Sequence, residues 1–232
     1  MDWQDSLYAV LTGDVVGSSK VPGRRRPLLL NYLKGIFRNV EESWPGAISK
    51  RFEIYRGDSF QVVLSDPSAA LCIAIFLRAS LRKGFPVNDT ATTCDARIAI
   101  GIGAIDFLPE STAEGDGEAF HRSGRLLDGM RFTMFAIATP VKDVDEELNT
   151  ELSLLDAIIG RWSSPQAEAV CYSLRGLSNV EIAGKLGISA AAVGQRLVGA
   201  NLKSVDRLLD RFEKIVRVRV TAGTSAGLQL QS

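Results

Sequence analysis

The chain has 232 residues, 46% of them hydrophobic and 23% charged, the balance of a globular protein rather than a disordered one. Its longest apolar runs, such as 71–77, are far too short to span a bilayer. The acidic start at Asp2 and Asp5 is not that of a signal peptide, and three cysteines with one histidine make neither a disulfide framework nor a zinc set, so a cytoplasmic protein without a membrane partner is expected. Basic and acidic residues balance at 27 each, but from Arg161 onward there are 10 basic and 5 acidic residues against 17 and 22 before it, and a basic back half suits an anion-binding module.

Taken in chain order, residues 7–12 read as a buried strand that ends at Gly13-Asp14, and a Gly/Ser/Pro loop follows. Leu29, Leu33, Ile36, Phe37 and Val40 then fall at helical spacing until Pro45-Gly46. Residues 51–55 and 60–64 are two short strands around the turn Arg56-Gly57-Asp58-Ser59. Pro67 opens a second helix, with Ala70, Ile73, Ala74, Leu77 and Leu81 as its buried stripe. A long strand over 96–107 contains Gly101 and Gly103, which mark a bulge or a close backbone approach. A third helix spans about 117–130, a strand 132–138, and a charged linker with a proline 139–149. The first six elements follow the split βαβ order of a ferredoxin-like motif, so the expected class is α+β: an antiparallel sheet with helices on one face.

Asp14 and Asp58 end neighbouring strands in such a sheet, where two carboxylates can share a hard cation such as Mg²⁺. An Asp closing an apolar strand needs some cation to offset its desolvation, either a metal ion or an arginine. Gly17, Ser18 and Ser19 beside Val15 form a loop before a helix that can point N–H groups at phosphate, and Gly57 lets the hairpin turn tightly beside Asp58.

The segments 11–18 and 56–60 resemble the two metal-binding strands of class III nucleotide cyclases. Together with Ala96-Arg97-Ile98-Ala99-Ile100-Gly101-Ile102-Gly103, they resemble still more the SatD family, small bacterial proteins built on a cyclase-like domain. The resemblance implies a nucleotide cyclase-like fold, a nucleotide as ligand or substrate, Mg²⁺ or Mn²⁺ at Asp14 and Asp58, and a homodimer. Segment 117–126 is similar to the cyclase helix carrying a transition-state Asn and an Arg four residues on. His121 stands at the first of these positions and Arg125 at the second, and Ile54 stands where many adenylate cyclases place a base-reading Lys. The residues alone leave open whether such a site catalyses or only binds.

Ser164-Pro165 opens a further helix that Gly176 ends. Ser178 or Asn179 caps the next, with Glu181 in its first turn, and Gly187-Ile188-Ser189 leads into another at Ala190: a helix-turn-helix pattern. Segment 176–189 resembles the DNA-binding modules of LuxR-type regulators and sigma-factor region 4. That resemblance implies a groove-reading helix with Ser189, Ala190, Gln195 and Arg196 near bases and Lys203 near phosphate. The expected division is a cyclase-like nucleotide- and metal-binding domain over 1–140, a linker helix over 141–160, an all-α helix-turn-helix domain over 161–220 and a tail over 221–232. The expected function is a nucleotide- and metal-responsive DNA-binding transcriptional regulator, with a nucleotide cyclase or related phosphoryl-transfer enzyme as the alternative.

Overall fold

The structure, a computed structural model, describes residues 6–18, 26–55, 57–87 and 90–221; Ser19, Arg56 and residues 222–232 lie outside the described residues. Strands β1 (Tyr8–Val16), β2 (Ile48–Tyr55), β3 (Ser59–Leu64), β6 (Asp95–Gly103) and β7 (Phe135–Ala138) form one mixed sheet in the order β2-β3-β1-β6-β7. β1 pairs antiparallel with β3 and β6, β2 pairs antiparallel with β3, and β6 and β7 run parallel. A separate two-stranded ribbon, β4 (Phe85–Val87) with β5 (Thr90–Thr92), lies between α2 (Ala70–Lys83) and β6 in the chain.

Strict alternation divides the side chains of this sheet. Ala9, Leu11 and Val15 of β1, Phe60, Val62 and Leu64 of β3, and Ile98, Ile100 and Ile102 of β6 enter one large core, shared with helices α1 (Arg26–Ser43) and α2 (Ala70–Lys83). The residues between them face the other way, where helix α3 (Glu118–Gly129) covers Tyr8, Val10 and Val63 with Ala119 and Phe120. Helices therefore lie on both faces, and the expected one-face arrangement holds only for α1 and α2. The glycines account for the difference. A Cβ on Gly101 would stand 2.2 Å from the Ala119 carbonyl oxygen, and one on Gly103 2.8 Å from the Glu118 Cβ, so both positions must be bare for α3 to seat on β6. β6 ends at Gly103, short of the expected residue 107, where the chain turns toward α3.

The charged stretch after β7 is helical. Helix α4 (Lys142–Ile159) lies along the free edge of β7, and its polar side chains complete that edge. Asn149 accepts from the Ile137 N–H (3.0 Å) and donates to its carbonyl (2.8 Å); Asp156 accepts from Met134 N (2.8 Å), and Asp145 from Thr139 N (2.7 Å). An unpaired strand edge invites pairing with another chain, and these side chains close it.

Helices α5 (Ser164–Ser173), α6 (Asn179–Leu186), α7 (Ala190–Gly199) and α8 (Leu202–Ile215) follow, and the last turns widen into a π-helix over Val216–Thr221. Their apolar residues, including Val170, Ile182, Val193, Leu197 and Phe212, join the same core as α1 and α2, as does Trp162 just before α5. α2 lies at the centre: eleven of its fourteen residues are buried, so it is covered on all sides. Its Arg78, 1% exposed, meets Asp95 (2.8 and 3.0 Å) and Asp156 (2.5 Å), while Arg82 bonds Asp95 and the carbonyls of Gly160 and Trp162. Two acids from different elements and a backbone corner are held by one buried helix.

Candidate functional site

β1 delivers Asp14 between two neighbours, opposite Ser59 of β3 and Arg97 of β6. Asp14 belongs to the row that faces α3, two residues beyond Thr12. That threonine lies in a buried hydrogen-bond chain: Gln61 Nε2 donates to Thr12 Oγ1 (2.9 Å), Thr12 meets Ser123 Oγ (2.9 Å), and Ser123 donates to the Phe120 carbonyl (3.1 Å). With Ser123 spending its single proton on Phe120, Thr12 is the donor to Ser123. The relay fixes β3, β1 and α3 relative to one another below the acid.

Above Thr12 the α3 face opens into a cleft of about 320 Å³. Thr12, Tyr55 and Ser59 bring hydroxyls to it, and Asp14, Arg97, Asp128 and Arg131 bring balanced charge. Arg97 Nε donates to Asp14 Oδ1 (2.9 Å), its Nη2 to Asp14 Oδ2, and its Nη1 to the Met130 carbonyl (2.6 Å). The two side chains are 28% and 22% exposed, so the pair is held at the cleft wall rather than in open solvent. Its hydrogen bonds to Asp14 push the guanidinium further up from the usual arginine range.

The two acids read from the sequence thus stand at the same end of adjacent strands but have different partners. Asp58 accepts from the Ser18 hydroxyl, and it is not among the residues lining the cleft. Gly17 (φ 76°) and Gly57 (φ 85°) both adopt the left-handed backbone that makes these two turns possible. Val15 turns its side chain into the α1–α2 core, leaving only its backbone near the site.

These residues do not make a ready metal centre. Both oxygens of Asp14 are bonded to Arg97, and a divalent ion there would compete with the guanidinium for them. Among the described residues there is also no group of three or more His, Cys, Asp or Glu side chains placed to hold a metal.

On α3, His121 and Arg125 are exposed, and His121 Nε2 lies 3.0 Å from Asp116. Neither lines the cleft; Gly124, Leu127 and Asp128 of the same helix do. Motif and spacing do not single out Arg97, Asp128 and Arg131 as site residues. Arg97 does leave a signal, since it is a charge set between the apolar Ala96 and Ile98 and must meet an opposite charge in the fold.

In the C-terminal helices Ser178 and Glu181 form a capping box on α6, Gly187 (φ 64°) turns the chain, and Ser189 caps α7 by accepting from Ala192 N (3.1 Å). Ala190 is half-buried, Gln195 and Lys203 are exposed, and Arg196 approaches Glu168 of α5 at 4.0 Å. The outward row of α7 carries Ala191, Gln195 and Val198, the last 78% exposed. No helix among the described residues is long and apolar enough to cross a membrane.

No protein-family model matches the sequence, and no curated protein matches it. Among solved structures, the chain is similar to the non-canonical dimeric guanylyl cyclase domain of a rhodopsin fusion protein from the aquatic fungus Blastocladiella emersonii (15% identity, TM-score 0.44, covering 55% of this chain and 76% of that one). It is also similar to the guanylate cyclase domain from Catenaria anguillulae in complex with GTP (14%, TM-score 0.42, 55% and 75%). A third is the adenylyl cyclase CyaB of Pseudomonas aeruginosa (17%, TM-score 0.41, 57% and 76%). The class the fold itself defines is a mixed α+β protein with a five-stranded sheet.

Proposed function

We propose that the α/β half binds a nucleotide, with its phosphates in the cleft at the ends of β1, β3 and β6. The observation that supports this most is the gathering of unlike groups at one end of the sheet. Arg97 and Arg131 supply cationic donors, Tyr55 and Ser59 supply hydroxyls, and the Gly17-Ser18 turn is joined to the Gly57-Asp58 hairpin beside them. Guanidinium forks suit phosphate oxygens, and a partly enclosed cleft strengthens such contacts relative to open water. Phosphoryl transfer of the cyclase type is the more demanding form of this reading. It calls for Mg²⁺ or Mn²⁺ at Asp14 and Asp58, and for Arg97 to release Asp14.

Because His121 and Arg125 stand on the solvent side of α3, any role for them at the phosphates calls for a second copy of the chain. A homodimer is part of the proposal for that reason, and sedimentation velocity tests it. The nucleotide itself is tested by thermal unfolding with each nucleoside triphosphate. At a hundredfold excess over Kd, a ligand of the folded state adds about 2.7 kcal/mol, or a rise on the order of 5 °C or more for a chain of this size. The rise should vanish in Arg131→Ala. A flat response to every nucleotide sinks the reading, and chromatography of the same mixtures for cyclic product or pyrophosphate separates binding from catalysis.

A second reading, DNA binding through α6 and α7, is supported by the capped helix–glycine turn–helix geometry and the exposed Gln195 and Lys203. Under it α7 enters the major groove and the whole protein is a nucleotide-responsive regulator. Duplex binding that weakens steeply between about 50 and 200 mM salt is the expected result, since phosphate contacts release counterions; no binding at low salt removes the reading.

A further inference from the structure

We infer that Arg97 is the resident cation of the cleft, standing at Asp14 where a divalent ion would otherwise be needed, so that the site takes its anionic ligand without metal. The inference rests on the nucleotide reading for the identity of the ligand, but its central claim concerns the protein alone. Asp14 lies two residues before the end of the largely apolar β1 and needs a positive partner, and Arg97, directly across the β1–β6 ladder, gives it two parallel hydrogen bonds. Arg97 is itself braced by the Met130 carbonyl at 2.6 Å, at the point where α3 ends. Three anchors from two elements hold the guanidinium in place, which is the arrangement of a fixed charge rather than of a mobile surface side chain.

Three of the five N–H donors of Arg97 are spent on these anchors, which leaves two for a ligand. Arg131, exposed and one residue beyond Met130, lines the same cleft and adds a second guanidinium. Asp14 cancels much of the charge of Arg97 but orients it, as a second group orients a metal ligand. A phosphate approaching the cleft therefore meets a donor already aimed and partly shielded from solvent. Asp58, which a two-carboxylate metal site would require beside Asp14, is instead held by Ser18.

The test reads the metal first, without nucleotide. Mn²⁺ is titrated into the full-length protein and the free ion is followed by electron paramagnetic resonance. Wild type and Asp14→Asn are expected to give the same weak titration. Arg97→Gln, checked for folding by circular dichroism, is expected to gain a site with a Kd at least tenfold lower, and the double variant Asp14→Asn/Arg97→Gln to lose it. Tight Mn²⁺ binding by wild type that Asp14→Asn abolishes would overturn the inference, and so would a folded Arg97→Gln that gains nothing. The comparison of wild type with Asp14→Asn needs no Arg97 variant, so it decides the matter even if Arg97→Gln does not fold. The second arm measures ATP and GTP binding in EDTA and in Mn²⁺. Equal affinity in both is the expected result, and binding only with Mn²⁺ overturns the inference. No binding in either solution sinks the nucleotide reading, while the metal titration still decides whether Arg97 holds the place of the ion.

Discussion

Arg78 carries a full positive charge inside α2 at 1% exposure, and it is tolerated there because Asp95 and Asp156 meet it from two directions and the Phe135 ring lies 4.5 Å from its guanidinium carbon. Removing one partner of such a set strands the others. Arg78→Ala is expected to cost about 3–5 kcal/mol in urea unfolding, because Asp156 then loses its counter-charge and Asp95 keeps only Arg82, in a place water reaches poorly. Arg211, half-exposed between Glu147 and Glu151, offers the control: Arg211→Ala is expected to cost at most about 1 kcal/mol, since solvent screens the pair. Equal losses for the two would show that burial does not set the energetics here. Gly101 makes a different kind of residue-scale demand. Gly101→Ala drives a methyl group into the backbone of α3 at Ala119 and Ser123, and the expected cost is about 1–3 kcal/mol in the same assay.

At the scale of elements, much is legible from periodicity. The five buried positions of α1 are the five read at helical spacing, and the alternation along β1, β3 and β6 is that of strands with two covered faces. The sequence misleads where polar residues serve the fold instead of the solvent. The stretch 139–149 looks like a linker because it is charged, yet Asp145 and Asn149 are the groups that complete the edge of β7. A clue lies in α2, whose Leu71, Ile75 and Phe76 fall outside the stripe read for it and demand a second covering layer. The site is half legible for a similar reason. Asp14, Asp58 and the glycines stand out by type, whereas the cation that meets Asp14 comes from a strand 83 residues away, and spacing alone does not pair them. The N-cap of α6 is legible to within one residue, Ser178 or Asn179, and it makes a pH prediction. Bonds from the Ser178 backbone and side chain hold the Glu181 carboxyl below its ordinary value. A lowered folded pKa contributes stability above the unfolded value and loses it as pH falls through the folded one. Acidification from neutral to below pH ~4 should therefore fray α6, and Glu181→Gln should remove that part of the pH dependence, as read by hydrogen exchange of the α6 amides. Ser178→Ala should cost about 0.5–2 kcal/mol at neutral pH.

For the whole molecule the question is whether the C-terminal helices form an independent module or complete the α/β half. α2 is buried on all sides, Arg78 takes one of its counter-charges from α4, and the Ser164 hydroxyl caps α2 through the Lys83 carbonyl. Ser80 of α2 meets Cys171 of α5 at 3.5 Å, and Trp162 bonds the Ala200 carbonyl at 2.8 Å, so the junction itself is packed and hydrogen-bonded. Burial pushes the Cys171 thiol up to about 11, as expected for a sulfur sealed between two helices. Cutting the chain at residue 141 would expose the outer side of α2 to water, unpair one side of Arg78 and open the edge of β7, three separate costs on one fragment. Fragment 1–141 is therefore expected to aggregate or to lack a cooperative unfolding transition. The full chain should unfold in one step, with far-UV circular dichroism and tryptophan fluorescence giving the same urea midpoint. Two separated midpoints, or a fragment that folds alone, would mean that this interface adds little and that any signal between the cleft and α7 has to travel by another route.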